Sequence, residues 1–219
     1  MSAGSPIVID VVSDVVCPWC YIGKRRLERA LELRPEVAVE IRWRPFFLNP
    51  WVPREGMSRD DYLETKFGSV EAYKTMAKRV AAAAAAEGLV YALDKIARQP
   101  NTIDCHRLIL WAHERGDAAA MKQRLMQLYF AEGADLSDRA VLAEAARAGG
   151  LDPDQVRRDL ASDKDVDLVT QEAERAAQAG IGGVPFFIFN NRLGVSGAQA
   201  PEVLAEALDR ARAETVPSS

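Results

Sequence analysis

Cysteine is scarce in this sequence: three residues in a chain of 219. That count excludes the dense disulfide framework of small secreted domains. No apolar run approaches the ~20 residues of a membrane span. The opening residues, Met1-Ser2-Ala3-Gly4-Ser5-Pro6, have neither the basic stretch nor the apolar stretch of a secretory signal. Basic charge is not in excess either: the net charge of -4 argues against a general nucleic-acid binder. These absences predict a cytoplasmic protein of a reducing compartment, with neither membrane nor nucleic acid as partner. What is present, 48% hydrophobic and 27% charged residues, is the composition of a globular chain. Its length suits one large domain or a small domain with a second module.

Two of the three cysteines fall in Cys17-Pro18-Trp19-Cys20. An apolar run, Ile7 to Val12, precedes them, and a helical stripe of Gly23, Leu27, Ala30 and Leu31 follows. The pattern is strand, short loop, helix, with Cys17 at the helix start and Cys20 one turn inside. Unpaired N–H groups and the positive end of the helix dipole stabilise a thiolate there. Pro18 suits the first helical position because it has no N–H to leave unbonded. This is the layout of a thiol–disulfide exchange centre: Cys17 as nucleophile, Cys20 as resolving thiol. Zinc is the competing reading, with Cys17, Cys20, Cys105 and His106 as four ligands on paper. Adjacent residues of one helix point about 100° apart, which suits a single tetrahedral ion poorly, so no metal is expected.

Residues 6–12 read as a strand covered on both faces, because the run is nearly continuous. Pro35 ends the helix that starts at Pro18. Residues 37–44 alternate, with Val37, Val39, Ile41 and Trp43 on one side, and predict a half-buried strand. The connector Arg44 to Trp51 is aromatic and broken by proline. It is either core packing or, with Trp19, Phe46, Phe47 and Trp51, a wall of an aromatic groove. Helical signals then run from Ser58 to Ala179: an N-cap at Ser58, an alanine run over 81–86, a start at Asn101-Thr102, stripes over 121–130 and 137–148, a strong start at Asp152-Pro153, and a last helix over 165–179. Strand character returns at Gly183 to Phe189, and Asn190-Asn191 turns the chain into a hairpin with 192–196. Pro201 to Ala213 closes as an amphipathic helix, and the tail from Glu214 should fray. The 6–12 strand should lie between the 37–44 and 185–189 strands. Lys24 is either a solvated residue or a source of positive field near the sulfurs. Cys105 reads as a buried, inert thiol.

Several blocks in order carry a resemblance: Asp14 to Lys24, Arg44 to Pro50, Asn101-Thr102 with His106-Arg107-Leu108, Gly182 to Phe187, and Val195 to Gln199. The chain resembles the thioredoxin superfamily, in its DsbA branch, and most closely the FrnE-like oxidoreductases; Cys105 stands where alanine would be expected. The resemblance implies an α/β, thioredoxin-like fold (βαβ…ββα) with a large all-helical insertion. The thioredoxin-like part is expected over 1–57 and 180–219, and the inserted subdomain over 58–179. It also implies a cis peptide before Pro185, a Val184 backbone available to an extended substrate, and Pro18, Trp19, Asn49, His106 and Ser196 as further substrate contacts. No cofactor beyond the redox-active disulfide is expected. The partner is a disulfide-containing protein or a small thiol, with glutathione as co-substrate, and the family suggests a homodimer. The same branch holds 2-hydroxychromene-2-carboxylate isomerases and kappa-class glutathione transferases, which carry serine at the position of Cys17. On that analogy Asn49, Val184 and Ser196 would hold a glutathione-like peptide. A binding protein using the aromatic groove without chemistry is the third reading.

Overall fold

The computed structural model describes residues 5–214. The readings made for Met1 to Gly4 and for the tail beyond Glu214 lie outside them. Strand β1 (Ile7–Ser13) is the central strand, buried along nearly its whole length. It pairs in parallel with β2 (Val39–Pro45), in a register that sets Ile7 beside Val39 and Ser13 beside Pro45. On its other edge it pairs antiparallel with β5 (Phe186–Phe189), which continues through a hairpin into β6 (Leu193–Ser196). The order β2-β1-β5-β6 is the one expected from the sequence. Asn190 and Asn191 both take positive φ, 49° and 55°, but the turn is one residue longer than expected: Phe189 pairs with Leu193, so Arg192 joins them in the loop.

Helices α1 (Pro18–Glu32) and α9 (Pro201–Ala213) cover one face of this sheet. Leu27 and Ala30 of α1 and Leu204 and Leu208 of α9 meet Ile9, Val11, Phe187 and Phe189 in one apolar cluster. The close approach of α1 to the sheet depends on Gly23. A Cβ there would lie 2.8 Å from Pro185 Cγ and 3.4 Å from Phe187 Cζ. Alanine is the better helix former by about 1 kcal/mol, but overpacking a tight core costs about 1–3 kcal/mol. Gly23→Ala is therefore expected to lower the urea midpoint; an unchanged or raised midpoint would show that Pro185 yields freely.

Between β2 and β5 the chain builds α2 (Arg59–Phe67), α3 (Val70–Ala86), α4 (Ile103–Arg115), α5 (Ala118–Gln127), α6 (Arg139–Ala145), α7 (Pro153–Leu160) and α8 (Val166–Gln178). Their starts follow local chemistry. Ser58 caps α2 by accepting from the Asp61 N–H, and Asp152 caps α7 by accepting from the Asp154 N–H. The α4 start is held by Asn101, whose side chain accepts from the Ile103 N–H and donates to the Val52 carbonyl. The insertion is not helical throughout. β3 (Met57–Ser58) and β4 (Arg98–Gln99) form a short antiparallel ladder, too brief to leave an alternating pattern in the sequence. The expected helix over 121–130 begins earlier and gives way after Gln127 to a π-helical turn, Leu128–Glu132, ended by Gly133 at φ 70°. The expected helix over 137–148 is α6 followed by a 3-10 turn, Ala146–Gly149.

The largest apolar cluster joins Val15, Val16, Cys17, Cys20 and Tyr21 to Cys105, Leu108, Trp111, Met121, Leu125 and Phe130 of the insertion. The dithiol motif therefore sits in the seam between sheet and insertion, roofed by helices.

Candidate active site

Cys17 is the N-cap of α1 and Pro18 its first residue. The Cys17 carbonyl accepts from the N–H groups of Cys20 and Tyr21 at 3.0 and 3.2 Å. Both cysteines are free thiols and both are buried. Cys17 Sγ lies 3.6 Å from the Val184 carbonyl, to which it donates, and the Val184–Pro185 peptide is cis. Cys20 lies wholly in the core. Burial, followed by its hydrogen bond and charge interaction with Cys17, pushes its thiol well above the usual value. The two sulfurs are thus inequivalent: one opens on a cavity and the other stands behind it.

That cavity measures about 270 Å³. Val16, Cys17, Pro18 and Trp19 form its floor, Leu48, Gly183 and Val184 one rim, and residues of α2, α3 and the π-helical turn its roof. Of the side chains expected at a substrate site, Pro18, Trp19 and Val184 line it. Asn49, His106, Pro185 and Ser196 do not. Asn49 is buried behind the wall, where its Oδ1 accepts from the Tyr62 hydroxyl and the Lys66 ammonium. Pro185 faces Gly23 of α1. Ser196 is exposed on edge strand β6, opposite Phe186, because the alternation of that strand turns it outward. Phe47 packs edge-on to His106, and Trp51 stacks on Tyr62 with its other side exposed; neither lines the cavity. The aromatic lining comes instead from Tyr62, Phe67, Tyr73, Tyr91, Tyr129 and Phe130 of the insertion.

Below the sulfurs lies a buried polar group. His106 Nε2 is 3.3 Å from Asp14 Oδ1, and both side chains are almost inaccessible. Asp14 also accepts from the N–H groups of Val15 (2.7 Å) and Leu48 (2.8 Å). Burial opposes ionisation of Asp14, but the hydrogen bonds from His106 and Leu48 and the charge of Lys122 outweigh it and hold the carboxyl low. Lys122 of α5 is fully buried, donates to the Ser13 carbonyl at 3.4 Å and lies 6.0 Å from the Trp43 ring centre. Burial lowers its pKa, against the pull of Cys20, Asp14, Cys17 and Cys105. The positive field at the sulfurs comes from this residue and from Lys66. Lys24 supplies neither of the roles expected of it: it is buried, pairs with Glu28 and lies 5.9 Å from the Trp43 ring centre. Cys105 is inaccessible, and burial, then Asp104, pushes its thiol well up.

His106 carries a pH prediction. Burial pushes its imidazole below the usual value of 6.5, with Asp14 pulling the other way. Between the folded value and 6.5 the unfolded chain binds more protons, so stability rises with pH across that window and falls on acidification. Asp14, held low, adds a further loss as the pH drops from 3.8 towards its folded value. Thermal melts are expected to show a midpoint that falls below pH 6.5, with a shallower slope in His106→Gln. An equal slope in the variant would remove His106 from the account.

A four-stranded sheet of this order, with a C-x-x-C motif at the start of α1 beside a cis-proline, defines a thioredoxin-fold dithiol protein. The model of the DSBA-like thioredoxin domain matches residues 8–209, and the chain belongs to that family. Its structure is similar to that of a probable DsbA oxidoreductase from Streptomyces coelicolor, at 36% identity, with 97% of this chain and 93% of the other covered and a TM-score of 0.87. Two more distant structures share the fold. One is the cytosolic disulfide reductase DsbM from Pseudomonas aeruginosa with glutathione (18% identity, 94% and 96% coverage, TM-score 0.63). The other is a 2-hydroxychromene-2-carboxylate isomerase (16% identity, 97% and 100% coverage, TM-score 0.69). Among the described residues, no helix is long and apolar enough to cross a membrane. Nor does any cluster of three His, Cys, Asp or Glu side chains form a metal site among them.

Proposed function

We propose that this chain is a thiol–disulfide oxidoreductase in which Cys17 is the nucleophile and Cys20 the resolving thiol. The observation that carries the reading is the inequivalence of the pair: Cys17 opens at a helix N-terminus on a cavity, and Cys20 is wholly buried one turn behind. Cys17 attacks a substrate disulfide as thiolate. One substrate sulfur leaves as thiolate and a mixed disulfide forms on Cys17. Cys20 loses its proton and attacks Cys17 Sγ, the second substrate sulfur leaves, and Cys17–Cys20 is oxidised as the substrate gains two electrons. The reverse sequence oxidises a dithiol; the relative reduction potentials set the direction.

Glutathione is the proposed small-thiol co-substrate, and the cytoplasm the proposed setting. The glutathione-bound DsbM structure of the same fold supports both. The isomerase or transferase reading rests on fold likeness alone, whereas both thiols of a redox pair are present here. The test is to oxidise the reduced protein with glutathione disulfide and map the product by peptide mass spectrometry. A Cys17–Cys20 disulfide is expected. A product pairing Cys105, or no internal disulfide, would overturn the assignment, and isomerase and transferase assays with glutathione would then be decisive.

A further inference from the structure

The insertion places two cations in the wall of the cavity over Cys17. Arg59 and Lys66 lie seven positions apart on α2 with Tyr62 between them, all on one helix face, and all three line the cavity. Neither cation meets a carboxylate among the described residues. The Arg59 guanidinium donates to neutral oxygens: Gln99 Oε1 at 2.8 Å, the Tyr73 hydroxyl at 2.9 Å and the Tyr129 hydroxyl at 3.2 Å. Lys66 donates to Asn49 Oδ1. Arg107 of the insertion, by contrast, is buried against an acid, Asp104.

The two charges are also held in place. Arg59 lies 5.1 Å from the ring centres of both Tyr62 and Tyr73, and Lys66 lies 5.6 Å from Tyr62 and 5.9 Å from Phe67. Burial pushes the Lys66 ammonium down; the charge of Arg59 pushes the same way, while Cys17 and Asp14 oppose it. Two like charges fixed together in a half-desolvated aromatic box are relieved by one anion. The remaining wall, with Val80, Met76, Tyr91 and Phe130, is apolar.

We infer that this cavity binds a small thiol or disulfide that carries a carboxylate on an apolar body, with Arg59 and Lys66 receiving the carboxylate while the sulfur reaches Cys17. The inference rests on the redox reading above and names its substrate class. At about 270 Å³ the cavity falls just below the ~300–1,000 Å³ of drug-sized sites, which suits a small thiol. The chemistry is the exchange already written: the bound disulfide gains two electrons and leaves as two thiolates, and Cys17–Cys20 becomes the disulfide.

The test compares stopped-flow rates of the reduced protein with three disulfides. Dithiobis(nitrobenzoate) is aromatic and carries carboxylates, dithiodipyridine is aromatic and neutral, and oxidised glutathione is a carboxylate-bearing peptide. The readout is the ratio of anionic to neutral rate, in which any change in Cys17 reactivity cancels. Arg59→Gln and Lys66→Gln are each expected to lower the ratio for dithiobis(nitrobenzoate) about ten-fold, the scale of a hydrogen bond to a charged group. Arg59 ties together three side chains, so its variant can fail to fold; Lys66, half-exposed, keeps the test decisive by itself. A parallel fall for oxidised glutathione assigns the site to carboxylate-bearing thiols of either body. A fall confined to the aromatic anion assigns it to aryl thiols. An unchanged ratio in Lys66→Gln overturns the carboxylate site and leaves the redox reading standing. No reaction of wild-type protein with any of the three overturns the redox reading instead.

Discussion

Cys17→Ser is expected to abolish disulfide exchange, lowering the rate with any disulfide by on the order of 10³-fold or more, to the uncatalysed background. The thiolate is the nucleophile, and a serine hydroxyl does not ionise in its place. Cys20→Ser has a different signature. The first attack survives, because Cys17 alone faces the cavity. The second step is lost, because Cys20 is the thiol one helical turn behind. The variant should therefore accumulate a stable mixed disulfide on Cys17, visible by intact mass as protein plus one half of the substrate. Equal trapping on either cysteine would contradict the assigned order, as would turnover in Cys17→Ser. Cys105→Ala should leave both steps unchanged, since that thiol is inaccessible.

The second large effect is expected at Lys122. Its buried ammonium is the charge that opposes the upward push of burial and of Cys17 on the Cys20 thiol. Lys122→Met removes that charge and keeps most of the volume. The Cys20 thiolate then becomes rarer by about ten-fold for each unit its pKa rises. The resolving step should slow about ten-fold, and the mixed disulfide should persist correspondingly longer in quenched-flow samples read by mass. Stability should not fall in step, because Lys122 meets no carboxylate at ion-pair distance among the described residues and burial opposes its own charge. The two readouts separate a chemical role from a structural one. An unchanged resolving rate, or slow resolution accompanied by a large drop in the urea midpoint, would contradict the role given to Lys122.

The parts of this molecule legible in the sequence are those set by neighbours along the chain. The strand–loop–helix around Cys17, the caps at Ser58 and Asp152, the hairpin at Asn190-Asn191 and the central place of β1 all rest on local patterns. The walls of the cavity rest on distant packing and were not legible. Arg59, Lys66, Tyr73 and Tyr91 reach Cys17 only because the insertion folds back over α1. The expected groove aromatics Phe47 and Trp51 lie outside the lining instead, Phe47 against His106 and the exposed Trp51 on Tyr62.

Lys122 left a signal that sequence reasoning passed over. Ala118, Met121, Leu125 and Met126 form the buried stripe of α5, and Lys122 falls within it. A lone charge on an apolar stripe needs a partner in the core. His106 sits the same way among Cys105, Leu108 and Ile109 of α4, facing Asp14. Lys24 failed as a sequence reading for the converse reason: placed beside Arg25 and Arg26 it looks solvated, yet it is buried near Trp43.

Redox titration of the wild-type protein in glutathione buffers, with thiol counting at each point, bears most directly on the claim that Cys17 and Cys20 are an exchange pair. The three thiols of the chain should fall to one in a single two-electron transition. Its midpoint should lie within the range of about -270 to -120 mV spanned by thioredoxin-fold centres. Three thiols persisting across the whole range, or a transition unaltered in Cys17→Ser, would contradict the account.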